Sequence, residues 1–246
     1  MCTVSWLDQD GGYELLCNRD ERRTRTPALS PRVRERRRVK FIAPTDGDHG
    51  GSWIGVNQFG LSLCLLNRYE HGQQPPNDAR ISRGLLPIEL MDSAASDEVH
   101  DRIVKGDLSR FEPFTLLVLE PQKKALLIGW TGRERLIEID GEAAMPLISS
   151  SYDGAGVRES RKKCFERLMN GSGTASADLL FRFHASHEPA RGPYSPCMHR
   201  DDAQTVSFSR IKVAAHKIQF LYHPLSPCSM LFDASHAETK IEMLRI

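Results

Sequence analysis

The sequence predicts an α+β protein of stacked layers, read as one domain over residues 1–246, and two observations carry that reading. Strand-like and helix-like segments fall in separate blocks instead of alternating one for one, which is the pattern of a layered α+β domain and not of βαβ units. Two runs, 114–119 and 125–130, are almost continuously apolar, as strands covered on both faces are, so layers are required above and below them. A chain of 246 residues with 40% hydrophobic content is long enough to bury one large core.

The first block opens with β-prone runs at 3–7 and 13–17 around Asp8-Gln9-Asp10-Gly11-Gly12, and Asp-Gly between such runs signals a hairpin. A loop of Asp10-Gly11 sets Cys2 opposite Arg19; a loop of Gly11-Gly12 sets it opposite Glu21. Either register carries Cys2 to the Arg19-Asp20-Glu21 corner. The stretch from 19 to 40 holds ten Lys or Arg against three Asp or Glu and reads as a solvated arginine-rich loop with Pro27 and Pro31. A second hairpin pairs 52–56 with 61–66 through a four-residue loop, Asn57-Gln58-Phe59-Gly60, which would set Asn67 opposite Gly50. Gly50 and Gly51 leave room for a ligand or another backbone to approach.

The polar segment 68–78, with Pro75-Pro76, reads as a surface loop. Helices are expected at 79–93, interrupted at Pro87, and at 96–105, capped by Ser96 and Asp97. Strands follow at 114–119, 125–130, 135–139 and 147–151, then helices at 157–169 and 176–187, the latter capped by Ser176. The chain closes in strands at 205–213, 217–222, 230–233 and 239–244.

The candidate nucleophile is Cys2. Initiator methionine is usually removed before a small residue, and the chain would then begin with a thiol and a free α-amine on one residue. An α-amine has a pKa of about 7.7–8.0, close enough to neutrality to take the thiol proton itself or through a water. A guanidinium from Arg19 would lower the thiol pKa, and Asp20 would hold the amine in place.

These residues also carry a family resemblance. Met1-Cys2-Thr3-Val4, Leu16-Cys17-Asn18-Arg19-Asp20-Glu21-Arg22, Gly50-Gly51-Ser52-Trp53-Ile54-Gly55-Val56-Asn57 and Gly60-Leu61-Ser62-Leu63 resemble the NRDE family, also called the transport and Golgi organization family. More distantly, Cys2, the Arg-Asp corner and the stretch from Gly55 to Asn67 resemble N-terminal-nucleophile hydrolases of the bile-salt hydrolase and penicillin V acylase group. The resemblance implies a four-layer α/β/β/α sandwich, with Asn67 as an oxyanion donor and Arg210 as a late-strand arginine of the site. It also implies that 68–78 lies at the pocket mouth. Asn18, Gly51, Trp53 and Ser150 are the expected substrate contacts. Where the hydrolases place a second donor asparagine, this chain has Ser149-Ser150-Ser151. Family members have been linked to haem and to lipid or acyl-CoA handling as well as to amide hydrolysis. The expected activity is therefore hydrolysis of a small-molecule amide or thioester, and the alternative is a haem or acyl-ligand carrier using the same pocket.

Several classes are set aside. The six cysteines are scattered without a C-x-x-C pair and no secretory signal precedes them, which points to a reducing, cytoplasmic setting. No apolar run approaches the roughly 18–20 residues of a membrane span. Arg34 to Arg38 form a single basic run without interleaved aromatics, too little for a nucleic-acid partner, although the basic stretch suits a carboxylate, a phosphate or haem propionates. No metal is expected: Cys197-x-His199 lacks a second pair, and His184-x-x-His187 lacks a third ligand. No cofactor is required; haem enters only as a ligand implied by the resemblance. The expected partners are a small-molecule substrate or ligand and, at most, further copies of the chain.

Overall fold

A strand buried on both faces needs partners on both, and β2 (Gly12–Arg22) is buried without a break from Gly12 to Asp20. Its side chains alternate: Tyr13, Leu15 and Cys17 enter one apolar cluster, while Leu16 enters another with Leu180 and Phe208. The computed structural model, which describes residues 2–69, 80–170, 175–231 and 239–245, supplies both layers. β2 lies in a six-stranded sheet with β1 (Cys2–Gln9), β10 (Leu147–Ser149), β11 (Ala203–Ala214), β12 (Lys217–His223) and β13 (Lys240–Arg245), in the order β10-β1-β2-β11-β12-β13. The second sheet runs in chain order through seven strands: β3 (Leu29–Arg36), β4 (Val39–Thr45), β5 (Ile54–Asn57), β6 (Ser62–Asn67), β7 (Phe114–Leu119), β8 (Leu126–Trp130) and β9 (Arg135–Ile139). All pairings between named strands are antiparallel.

The main core lies between the sheets, where Val4, Trp6 and Leu15 meet Ile42, Ile54, Val56 and Leu117. Each such side chain contributes on the order of 2 kcal/mol by leaving water. On the outer face of the seven-stranded sheet, α1 (Leu85–Leu90) and α2 (Ser96–Lys105) bury Leu86, Leu90, Val99 and Ile103 against Leu63, Leu65, Leu116 and Val118. On the outer face of the six-stranded sheet, α3 (Gly154–Asn170) and α4 (Ala177–Ala185) cover Leu16 and Phe208 with Phe165, Leu180 and Phe181. The result is the α/β/β/α sandwich. No described helix is long and apolar enough to cross a membrane.

The first hairpin has the register of the Asp10-Gly11 loop: Gly11 takes φ +72°, and Cys2 pairs with Arg19. The second hairpin is one residue off. Its pairs are Ile54–Cys64, Gly55–Leu63 and Val56–Ser62, closed by a three-residue loop with Gly60 at φ +78°. Asn57 belongs to the strand: its backbone N–H donates to Leu61 O, and its Oδ1 accepts from the N–H groups of Phe59 and Leu61. The arginine-rich stretch is also not a loop throughout. Residues 29–45 form the hairpin β3–β4, turning at Arg37 and Arg38, both at positive φ, and burying Phe41, Ile42 and Ala43. β3 is a sheet edge, and its charged side chains suit an edge that must not pair further.

Other boundaries differ locally. The helix expected at 79–93 is only α1, with Pro87 in its first turn, where a missing N–H costs little. α2 begins without a side-chain cap; Ser96 instead donates from N and Oγ to Glu120 Oε2, both at 2.7 Å. The strand expected at 230–233 is replaced by a 3₁₀ turn, Pro227–Leu231, and its last two residues lie outside the described ones. Most of the 68–78 loop lies outside them too.

Between the six-stranded sheet and its helices runs a buried polar layer. Arg161 of α3 donates to Thr3 Oγ1 and to Asp20 Oδ2, and Thr205 Oγ1 donates to Asp20 Oδ1 at 2.6 Å. His184 Nε2 lies 2.9 Å from Ser5 Oγ. Burial, and then the Arg161 charge, press the imidazole pKa from its ordinary 6.5 down to about 3. The folded state thus refuses a proton that the unfolded chain accepts. The contribution is complete above about pH 6.5 and is lost as pH falls toward 3, at up to about 1.4 kcal/mol per pH unit. Denaturant titrations between about pH 6 and about pH 4 should give a shallower loss of stability for His184→Gln than for the natural protein; parallel curves would show that the ring is not held neutral.

Candidate active site

Strand pairing puts the functional corner at one end of the six-stranded sheet. Cys2 pairs with Arg19 on one side and Ser149 on the other, so the three side chains share the face turned toward the second sheet. That face opens onto a cavity of about 580 Å³ whose wall includes Cys2, Arg19, Trp53, Leu65 and Asn67. The segment from Arg80 to Gly84 lines it as well.

Arg19 is nearly fully buried, and its guanidinium lies 4.3 Å over the Trp53 ring, with Nη2 2.6 Å from Asp46 Oδ2. Arg25 Nη2 reaches the same carboxylate at 2.7 and 2.8 Å, and the backbone N–H of His49 donates to it at 2.9 Å. Asp46 therefore holds both arginines, and the Arg19 guanidinium points across to the second sheet. Only Arg19 and Arg25 of the basic stretch line the cavity, where, among the described residues, four arginines face four carboxylates. Among these described residues the charges balance, although the basic stretch taken alone suits an acidic ligand.

The Cys2 thiol is not activated in this arrangement. Its pKa lies well above the ordinary value, first because of a hydrogen bond with Cys17 and then because of burial. Cys17 is raised as well: the Cys2 contact lowers it, but a hydrogen bond with Cys64 and burial outweigh that. The three thiols thus run from one sheet into the other. All six cysteines are free and buried.

The remaining expected residues divide. Asn67 lines the cavity; its Nδ2 donates to the Tyr69 hydroxyl at 2.9 Å, leaving one amide N–H without a partner among the described residues. Trp53 lines it too, and its buried Nε1 has no partner among the described residues. Asp20 lies at the cavity edge, with its carboxylate turned to Arg161 and Thr205. Gly51 does not line the cavity but lets a wall close: a Cβ there would stand 2.4 Å from the Gly84 carbonyl carbon, where Ser52 N donates to Gly84 O. Asn18 points the other way, donating to the carbonyls of His184 and Pro196. Ser150 caps a turn with Tyr152 beside a smaller hollow that Asn67 also borders. Ser149, opposite Cys2, gives its hydroxyl to Asn67 O.

Arg210 is not brought to this corner. It pairs with Leu16, on the helix-covered face, and binds the buried Glu14 through Nε at 2.6 Å. Its role is to neutralise that carboxylate.

Sequence reading missed Asp46, whose signal was an acidic turn, Asp46-Gly47-Asp48-His49, just after the arginine-rich stretch. It also missed the wall at 80–84, which has no local signal. Apart from this cavity, His187, Cys197, His199 and Cys228 converge, with one ligand atom from each within 4.8 Å of the others. The two segments that seemed too poor for a metal when taken singly are brought together by the fold.

Comparisons with known proteins agree with this architecture. The family model described as Transport and Golgi organisation 2 matches residues 1–185. No curated protein matches the sequence. Among solved structures, a mutant conjugated bile acid hydrolase from Clostridium perfringens is similar over 100% of this chain and 92% of its own, with TM-score 0.56 and 13% identity. Penicillin V acylase from Agrobacterium tumefaciens is similar over 91% and 83%, with TM-score 0.52 and 11% identity. A Caenorhabditis elegans orthologue of N-acylethanolamine-hydrolyzing acid amidase is similar over 86% and 92%, with TM-score 0.58 and 12% identity. At these identities the likeness is one of fold, and the fold is that of N-terminal-nucleophile hydrolases.

Two measurements follow. In protein that retains Met1, peptide-resolved alkylation should find Cys2 slow at about pH 7, where even an ordinary thiol of pKa about 8.5 is mostly protonated; fast labelling there would overturn the raised pKa. Arg210→Ala should lower unfolding free energy by about 2 kcal/mol, by leaving Glu14 buried with a poorer partner, without changing the labelling rate of Cys2.

Proposed function

The chain belongs to the Transport and Golgi organisation 2 family, and from that membership and the fold we propose a hydrolase of the N-terminal-nucleophile type that cleaves a small-molecule amide or thioester. The observation that carries this reading is the position of Cys2: residue 2, on the cavity wall, opposite Arg19.

Removal of Met1 would free an α-amine on Cys2. That amine takes the thiol proton as sulfur attacks the substrate carbonyl, and the tetrahedral oxyanion forms with the ammonium beside it. The free N–H of Asn67 and the Nε1–H of Trp53 are the donors proposed for the oxyanion. Collapse breaks the carbon–nitrogen or carbon–sulfur bond, and the leaving group departs with the proton held on the α-amine. The thioester left on Cys2 is then hydrolysed by water, with the amine as base, releasing the acid and restoring the thiol. Arg19 acts as a positioning residue, because its guanidinium is held by Asp46 and Trp53. Asp20, braced by Arg161 and Thr205, fixes the corner that the amine would occupy. With Leu65 and Ile81 beside paired charges, the cavity suits a substrate with an apolar arm and a polar amide.

A second reading, a haem or acyl-ligand carrier using the same cavity, is favoured by one observation: Ser149, which stands opposite Cys2, donates to Asn67 O and supplies no second amide donor.

Turnover of chromogenic amide and thioester probes by protein confirmed to begin at Cys2, compared with Cys2→Ala, decides between them. Loss of at least about 10³-fold in kcat/KM is expected for the variant. Equal turnover in both would remove Cys2 as nucleophile. Absence of turnover, together with saturable binding of haem or an acyl-CoA by both proteins, would establish the carrier.

A further inference from the structure

Away from the Cys2 cavity, and C-terminal to every residue that the family model matches, four side chains of two kinds converge. His187 follows the end of α4, Cys197 and His199 lie in the segment leading to β11, and Cys228 sits in the 3₁₀ turn after β12. We propose that these four residues form a structural zinc site.

The geometry matches tetrahedral thiolate–imidazole coordination. Zinc bonds of about 2.3 Å to sulfur and about 2.0–2.1 Å to nitrogen, at tetrahedral angles, place S and N about 3.6 Å apart. His199 Nε2 stands 3.5 Å from Cys197 Sγ and 3.5 Å from Cys228 Sγ. The fourth corner belongs to His187, whose Nε2 is buried with no hydrogen-bond partner among the described residues. Its ring centroid lies 5.0 Å from that of His199. An unsatisfied buried nitrogen is destabilising, and a metal bond satisfies it. Once Nε2 binds metal, His199 Nδ1 carries the ring proton and can no longer accept from the guanidinium of the exposed Arg191, 3.4 Å away, so that long contact would be given up.

The backbone holds the ligands before any ion arrives. Cys197 N donates to Ser186 O, next to His187, at 3.0 Å, and His199 bridges to Gln204. Ser226 Oγ donates to Thr205 O at 2.6 Å, fixing the turn that carries Cys228. Two soft thiolates with two imidazoles select zinc among common divalent ions, and four protein ligands leave no open position, as in sites that stabilise a fold instead of activating water. The ion would join the end of α4 to the end of β12. It would also brace the corner beside Cys2, since Met198, between two of the ligands, donates from N to Thr205 Oγ1, which donates to Asp20.

The test is metal uptake by the full chain under reducing conditions. Purified apo-protein titrated with cobalt(II) should bind one ion per chain, with the d–d bands of tetrahedral cobalt and a thiolate-to-cobalt charge-transfer band, and zinc should displace it. Cys197→Ser and Cys228→Ser should each abolish the charge-transfer spectrum or reduce affinity at least about 100-fold, whereas Cys2→Ala should retain it. Should those variants fail to fold, the natural protein still decides: zinc should shield Cys197 and Cys228 from alkylation, and chelation should unshield them and lower the thermal midpoint by at least about 5 °C. No uptake by fully reduced protein, or an unchanged spectrum in folded Cys197→Ser and Cys228→Ser, overturns the proposal. So does a Cys197–Cys228 disulfide whose reduction leaves a protein that takes up no metal.

Discussion

Gly12 has no room for a side chain: a Cβ there would stand 2.0 Å from the carbonyl oxygen of Val213. That close approach fixes β2 between β1 and β11, and most of what the molecule does with its cysteines depends on it. Once β2 is fixed, the tight turn at Asp10-Gly11 determines which residue of β1 meets which residue of β2. A slip of one residue would exchange the two faces of β1, moving Cys2 from the cavity to the helix layer and Thr3 from Arg161 to the cavity. The buried polar layer opposes such a slip, because Asn18, Asp20, Thr3 and Ser5 all have partners that exist only in this register.

The site itself is organised less by the nucleophile than by Asp46. Two guanidiniums, of Arg19 and Arg25, converge on one carboxylate in a partly buried place, where like charges at such separation repel strongly without the anion between them. Stacking on Trp53 gives Arg19 one orientation, so its charge belongs to the scaffold before a ligand enters. The two arginines that the basic stretch, with its seven excess positive charges, sends to the cavity wall thus arrive already paired with an anion.

What could be read from the sequence follows from how local each determinant is. A two-residue turn narrowed the partner of Cys2 to Arg19 or Glu21, and the structure, with its turn at Asp10-Gly11, selects Arg19. The second hairpin was misread by one residue because Asn57, a turn-former by type, uses its side chain to bind Phe59 and Leu61 while its backbone stays in the ladder. The hairpin at 29–45 was hidden because its turn residues, Arg37 and Arg38, are unusual at positive φ, and because the arginines obscure the alternation. Arg210 and Asn18 were assigned to the site by resemblance, and only strand parity places both on the opposite face. The His187, Cys197, His199 and Cys228 cluster joins segments separated by two strands, and no spacing rule reports such a meeting.

β11 has a consequence for how the chain can be divided. The family model ends at residue 185, yet β11 is hydrogen-bonded along almost the whole of β2 and lies at the centre of its sheet. A fragment cut at that boundary would expose one edge of a strand that is buried without a break over nine residues, with its N–H and C=O groups unpaired. Such an edge recruits any extended segment it meets, including its own copies. The stretch that the family model matches is therefore shorter than the sheet it belongs to, and residues C-terminal to it cover a strand edge that it would otherwise leave open.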